Sequence, residues 1–247
     1  MTRLGDLSAL MWARIFSQSD CAGWIDELQS KNTHREKLTT RIQFDRIVGG
    51  VLILGVLAAM AIPMWQQMQK NARLNGDAHN LSEALSLAKL RAGASFTESR
   101  VFFYTGTGTQ YFRVDVWNRT LNSGVGCWVA DAATSPACIT SSATTSYETN
   151  LSTGVSAGFG SLSTVPSNFV TTVAQAPSCM QGGTGPTTGG STISGTSCVI
   201  FNSRGFPNAS GGFYITDGSR VYAIVTNTMG LMHSYLSDAS SANWTAY

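Results

Sequence analysis

Charge is scarce in this chain. Asp, Glu, Lys and Arg make up 12% of its 247 residues, about half the ~25% usual for soluble domains. Beyond residue 63 the positive and negative side chains nearly cancel. Phosphate binding needs clustered Lys and Arg, yet Arg100, Arg113, Arg119, Arg204 and Arg220 are spread out and Ser237–Tyr247 has no basic residue. A nucleic-acid partner is therefore not expected. Metal chemistry lacks its usual ligands too. No cysteine pair has C-x-x-C spacing, and His34, His79 and His233 stand far from the cysteines in sequence. No cofactor is expected.

Catalytic motifs are equally thin. Gly154-Val155-Ser156-Ala157-Gly158 matches G-x-S-x-G, and Asp217 and His233 follow in hydrolase order. A nucleophile elbow needs a hydrophobic strand before the serine and a helix after it. Thr149–Ser152 and Phe159–Thr164 read as loops instead. Gly106-Thr107-Gly108 has no third glycine and no following helix, so a hairpin turn is the better reading. The expectation is a protein that is not an enzyme, with a hydrolase around Ser156 as the dissenting alternative.

What the chain does have is one long apolar run. Ile47 to Gln69 carries no charge. Its most apolar part, Ile47 to Trp65, would extend roughly 28 Å as a helix, enough for a bilayer core. Lys31, Arg35, Lys37, Arg41 and Arg46 crowd just before it. That asymmetry holds the N-terminal side in the cytoplasm and places the C-terminal bulk outside. Two readings compete. A buried soluble helix is rarely apolar on all faces. A cleavable secretory signal would use Ala59-Met60-Ala61, but the 46 residues before the run far exceed a normal n-region.

The helical pattern continues past the run. Met64, Met68, Ala72, Leu74, Ala78, Leu81, Leu85, Ala88 and Ala92 form a stripe in steps of three and four, opposite Gln67, Lys70, Asn71, Asp77, Asn80 and Lys89. Such a face needs a partner, and a sheet is the obvious one. Gly93 and Ser95–Ser99 end the helix. Strands are expected at Arg100–Tyr104, Tyr111–Trp117, Cys127–Ala130 and Phe169–Val173, then at Cys198–Phe201, Gly212–Thr216, Arg220–Thr226 and Leu231–Leu236 as a meander. Between them, 119–197 is loop-rich, with a low-complexity stretch at Gly182–Gly195. The organisation expected is therefore 1–41 as a cytoplasmic extension or atypical leader, 42–65 as a transmembrane half-helix, 66–95 as its amphipathic half, and 96–247 as an exported β-rich head. Residues 1–30 allow one or two short amphipathic helices.

Cys21 precedes the apolar run, whereas Cys127, Cys138, Cys179 and Cys198 follow it. An even set on the exported side fits a disulfide framework in an oxidising compartment; four unpaired buried thiols are the alternative. Of the three pairings, the sequential one, Cys127–Cys138 with Cys179–Cys198, is the expectation.

The spanning segment GVLAAMAIP (Gly55–Pro63) resembles the N-terminal helix of type IV pilins and type II secretion pseudopilins. Arg73–Ala92 is similar to the amphipathic helix of the GspH/FimT minor pseudopilins, as are Phe201–Pro207, Phe213–Met232 and the final strand to their C-terminal hairpins. The resemblance covers about 45–93 and 198–237, not the middle. It implies an α+β, pilin-like fold with a long N-terminal helix packed on antiparallel sheets. It also implies a single-pass inner-membrane protein with a periplasmic or filament-displayed head. The implied partners are other pilin or pseudopilin subunits, an inner-membrane assembly platform and membrane lipid, and the implied role is priming a pilus or secretion pseudopilus.

One departure stands out. Aligned on Pro63, Arg41 occupies the family's glycine before the cleavage point, Ile42 the first mature position and Arg46 the usual glutamate; Asp45 is the nearest acid. Inefficient processing at Arg41–Ile42, or none, is therefore expected. Assembly would then rest on apolar packing, where Gly49, Gly50, Gly55, Ala58, Ala59 and Pro63 allow close helix approach. A membrane-anchored adhesin or receptor head that never enters a filament is the competing function, and a DNA-uptake pilin a further one.

Overall fold

The computed structural model describes residues 36–142, 147–166, 170–241 and 243–247, and within the first helix the side chains of 57, 59–62 and 64–95. The chain divides into two units, Met1–Ala61 and Ile62–Tyr247. Helix α1 runs Glu36–Ser95. In the first unit, Leu57 and Met60 are exposed. The amphipathic helices expected in 1–30, and Cys21, lie outside the described residues. So do the side chains of Arg41, Ile42, Asp45, Arg46, Gly49, Gly50, Gly55, Ala58 and Pro63, and with them most of the span expected at 42–65. Among the described residues, no helix is long and apolar enough to cross a membrane.

The second unit is α+β. Its strands are β1 Ser99–Tyr104, β2 Tyr111–Asn118, β3 Cys127–Ala130, β4 Thr149–Asn150, β5 Ser156–Ala157, β6 Thr196–Phe201, β7 Gly211–Thr216, β8 Arg220–Thr226, β9 Met232–Asp238 and β10 Thr245–Ala246. They form two antiparallel sheets. One has the order β3-β2-β1-β6, with β4 also on β2; the other is β10-β9-β8-β7-β5.

The helix joins this core by one stripe. Leu74, Ala78, Leu81, Leu85, Ala88 and Ala92 are buried against Val101 and Phe103 of the first sheet and Phe213, Ile215 and Ile224 of the second. Each fully buried leucine contributes about 1.5–3 kcal/mol. Two expectations need correction. Met64, Met68 and Ala72 are exposed; among the described residues the helix packs on the sheets only from Leu74 onward. Asp77 is buried on the packed side, where its carboxylate accepts from the backbone N–H and the hydroxyl of Ser152 at 2.8 and 3.0 Å. The helix stops at Ser95, and Phe96 follows with φ 49. The Ser99 hydroxyl donates to the Ala88 carbonyl and that of Thr97 to Trp117, tying the turn to both neighbours.

The meander is smaller than expected. β7, β8 and β9 pair in order, but Cys198–Phe201 pairs with β1 in the other sheet. The turn at Asn202–Phe206 diverts the chain between sheets. No strand forms at 170–173, while Phe169 lies outside the described residues.

The middle of the chain forms the third layer. Strand alternation turns Phe102, Tyr111, Trp117 and Trp128 away from the helix. Cys179, Ile193 and Cys198 cover the first two; Ile139 packs with the tryptophans. Behind the second sheet, Leu162 and Val170 cover Tyr214, Val221, Ala223 and Val225. The low-complexity loop belongs to this layer. Gly182 has φ 80, and a Cβ there would stand 2.4 Å from the Trp117 ring; the Trp128 Nε1–H donates to the Pro186 carbonyl at 3.2 Å.

One buried group in this layer gives a pH prediction. Tyr214 is fully buried, its hydroxyl has no partner, and burial raises its pKa to about 12. The folded value exceeds the unfolded one of about 10. The stability this group contributes is therefore complete below about pH 10 and lost as pH rises through about 12. Tyr214→Phe should flatten alkaline melting between those values and leave neutral-pH stability equal or higher. An unchanged alkaline profile would reject the assignment.

Candidate functional site

Two features of the second unit go beyond ordinary core packing. The first is on the helix. Ile62, Met64, Trp65 and Met68 are 58–77% exposed. At 3.6 residues per turn they fall within an arc of about 160°, one broad face over some two turns of the helix. Gln66, Gln67 and Gln69 are the only polar neighbours before Lys70. Contiguous exposed apolar surface of this kind is uncommon on monomeric soluble proteins. Ala59, the described member of the expected helix-packing set, is exposed as well.

The second is a buried ionic cluster behind the first sheet. Register puts Arg100 opposite Asp115 and Arg113 opposite Phe102. Asp115 accepts from Arg100 Nε at 2.8 Å and from Arg113 Nε at 3.0 Å; Arg113 Nη1 reaches Glu148 at 2.7 Å, and Arg100 Nη1 reaches the Met180 carbonyl at 2.6 Å. Two cations and two anions cancel. Burial lowers the Arg100 pKa, against the pull of Asp115. The guanidinium carbons lie 4.3 Å from ring centroids, Arg100 over Trp128 and Arg113 over Phe102, which adds cation–π attraction in a desolvated setting. The cluster joins strands to the loop layer at Met180 and Glu148. Sequence reading placed both strands and the hairpin turn correctly but did not pair their residues. Counting outward from Tyr104 and Tyr111 would have set Arg100 against Asp115.

Two of the arginines weighed for phosphate binding are thereby accounted for. Arg100 and Arg113 are buried. Arg119 lies 3.7 Å from Glu98 and Arg220 3.9 Å from Asp238. Arg204 is exposed.

The serine motif is not assembled for catalysis. Ser156 sits on the two-residue edge strand β5 opposite Thr216. His233, on β9, is opposite Val225 of β8, three strands across from Ser156 and four residues along, a separation of roughly 19 Å. Asp217 turns its carboxylate onto the β7–β8 turn. Burial raises its pKa, but hydrogen bonds from the Arg220 and Ser219 backbones and the Ser219 hydroxyl bring it below the usual range. His79 is near Tyr247, with ring centroids 6.4 Å apart. Among the described residues, no group of three or more His, Cys, Asp or Glu could hold a metal.

Cys127 is bonded to Cys138, and Cys179 to Cys198, with Cα separations of 5.4 and 5.0 Å. Both bonds fasten the loop layer to a strand, at the start of β3 and within β6. The described residues also line open clefts, of which two bear on the motifs and the helix. One of about 520 Å³ lies between Glu83 and Leu87 of the helix and Asp131 and Tyr147. The other, about 650 Å³, separates the Thr105–Gln110 turn from Leu151–Ser156, so the two glycine motifs noted in the sequence share it. Compared with protein-family models, curated proteins and solved structures, the chain matches none.

Proposed function

We propose that this chain is a structural subunit of the minor pilin or pseudopilin kind, held at a bacterial inner membrane by its N-terminal helix and assembled through that helix into a pilus or secretion pseudopilus. The carrying observation is the change along α1. From Leu74 onward its stripe is buried in the head, whereas Ile62, Met64, Trp65 and Met68 are left open. A helix committed at one end and bare at the other is suited to link a folded head to lipid and to other helices. The uncharged run Ile47–Gln69 and the basic cluster before it supply the anchor and its orientation. Two disulfides accord with export. The two clefts favour a second reading, an anchored receptor head outside any filament.

Filament co-purification separates the two. Gly55→Leu and Ala58→Leu should each lower recovery of filament partners about tenfold, which corresponds to a clash near 1.4 kcal/mol. Unchanged recovery would favour the receptor. Intact mass tests processing independently. With Arg41 at the junction, the mature chain should retain residues upstream of Ile42; a chain beginning at Ile42 would overturn this.

A further inference from the structure

The two disulfides share a chemistry but not an environment. Cys179 is fully buried and Cys198 is 5% exposed. Both belong to the apolar cluster of Phe102, Tyr111 and Ile193. That bond is tied in on each side. The Cys179 N–H donates to the Thr196 hydroxyl at 3.1 Å, the Ile193 N–H to the Cys179 carbonyl at 2.7 Å and the Cys198 N–H to the Pro177 carbonyl at 2.8 Å. A thiolate reaches these sulfurs once the layer over the sheet comes away, and not before.

Cys127 is as buried as Cys198, but Cys138 is exposed. So are Ala132, Thr134, Ser135, Pro136 and Ala137 before it. Beyond Cys138 the chain is held again. The Ile139 N–H donates to the Trp128 carbonyl at 2.8 Å, and Ile139 is buried with Trp117 and Trp128. The opening that exposes this bond is thus confined to one short loop, and local opening costs far less than unfolding.

A disulfide is broken by a thiolate that attacks one of its sulfurs, and access to that sulfur helps set the rate. We propose that Cys127–Cys138 is a site of thiol–disulfide exchange on the folded chain, with a dithiol as co-reactant, and that Cys179–Cys198 is closed to it. One thiolate of the dithiol bonds to Cys138 Sγ. The Cys127–Cys138 bond breaks, and Cys127 leaves with the electron pair and takes a proton from water. The second thiolate then attacks the dithiol sulfur joined to Cys138, and Cys138 leaves and is protonated in turn. Two electrons pass: the dithiol is oxidised to its disulfide, and the protein bond is reduced to two thiols.

The loop that this bond closes is also a wall. Asp131 and Ala132 line the cleft of about 520 Å³ opposite Glu83 and Leu87. Besides the disulfide, the Asp131 N–H holds the loop to the Val114 carbonyl at 3.0 Å and the Ala133 N–H to the Ala130 carbonyl at 3.1 Å. The Arg91–Asp131 pair adds to them, but its arginine is 49% exposed, and solvated pairs hold weakly. Reduction therefore loosens this wall and leaves the layer at Cys179–Cys198 in place. None of this depends on whether the chain enters a filament.

The test uses the full chain in detergent, with its free thiols blocked first. It is treated with dithiothreitol under native conditions and quenched at intervals with a second alkylating reagent for peptide mapping. Cys127 and Cys138 should be trapped at least tenfold faster than Cys179 and Cys198, and the two rates should converge in denaturing guanidinium. Equal native rates, faster reduction of Cys179–Cys198, or no reduction of either bond before unfolding would overturn the proposal. Hydrogen exchange then reads the wall. The selectively reduced chain, and the double variant Cys127→Ser with Cys138→Ser, should each exchange the amides of 131–139 at least tenfold faster, with those of 196–201 unchanged. Unchanged exchange at 131–139, or an equal rise at 196–201, would overturn the loosening.

Discussion

Asp115→Ala is expected to lower the stability of the folded chain by about 3–5 kcal/mol, the cost of leaving buried charge uncompensated. Asp115 is the shared acceptor for Arg100 and Arg113, and all three side chains are at most 1% exposed. Without it, Arg100 retains the Met180 carbonyl and the faces of Trp128 and Phe102, none of which carries formal negative charge. Glu148 remains with Arg113, so the deficit falls chiefly on Arg100. A domain of this size moves its melting midpoint by ~2–4 °C per kcal/mol, which makes the shift large enough to follow by tryptophan fluorescence. The apolar quadruple variant Arg100→Met, Arg113→Met, Asp115→Leu, Glu148→Met should recover most of the loss, because the cluster then buries no charge and the desolvation cost is removed. A single-variant effect below about 1 kcal/mol would show that the site behaves as a solvated pair.

Reducing both disulfides is expected to cost about 3 kcal/mol for each bond in the chain-entropy model. The bonds close sequence separations of 11 and 19 residues, and they act where little else orders the chain. Among the described residues between β3 and β6, the strands are β4 and β5, of two residues each. Once freed, this layer would expose Trp117, Trp128, Phe102 and Tyr111, which it now covers. Proteolysis should then begin within 131–195 while the helix and the meander stay protected. Matching melting curves and digestion patterns with and without reductant would show that packing alone holds the layer.

Local regularities in the sequence carried the elements well. Period-two runs of Val, Phe and Tyr marked β1, β2 and β8 to within a residue or two, and the steps of three and four at Leu74–Ala92 marked the buried stripe. The buried stripe begins later than its spacing suggests. Met64 and Met68 continue its spacing, but periodicity cannot tell where the partner sheet ends. Asp77 was assigned to solvent by residue type, yet Ser152, 75 residues later, supplies its hydrogen bonds. Cys198–Phe201 was placed in the meander by proximity in sequence, and the turn after it sends the chain to the other sheet.

The sequence by itself determined the uncharged run, the basic cluster ahead of it, the amphipathic helix and the hairpins, because each is written in residues a few positions apart. Tertiary structure alone decided which charges are buried together, how the loop-rich middle becomes a covering layer, and that the turns at Gly205 and Gly230 stand side by side over Lys89. Those arrangements depend on register and chain crossing over as many as 141 residues, as between Lys89 and Gly230. They arise because a buried guanidinium or an uncovered sheet face must find its partner wherever the fold brings one.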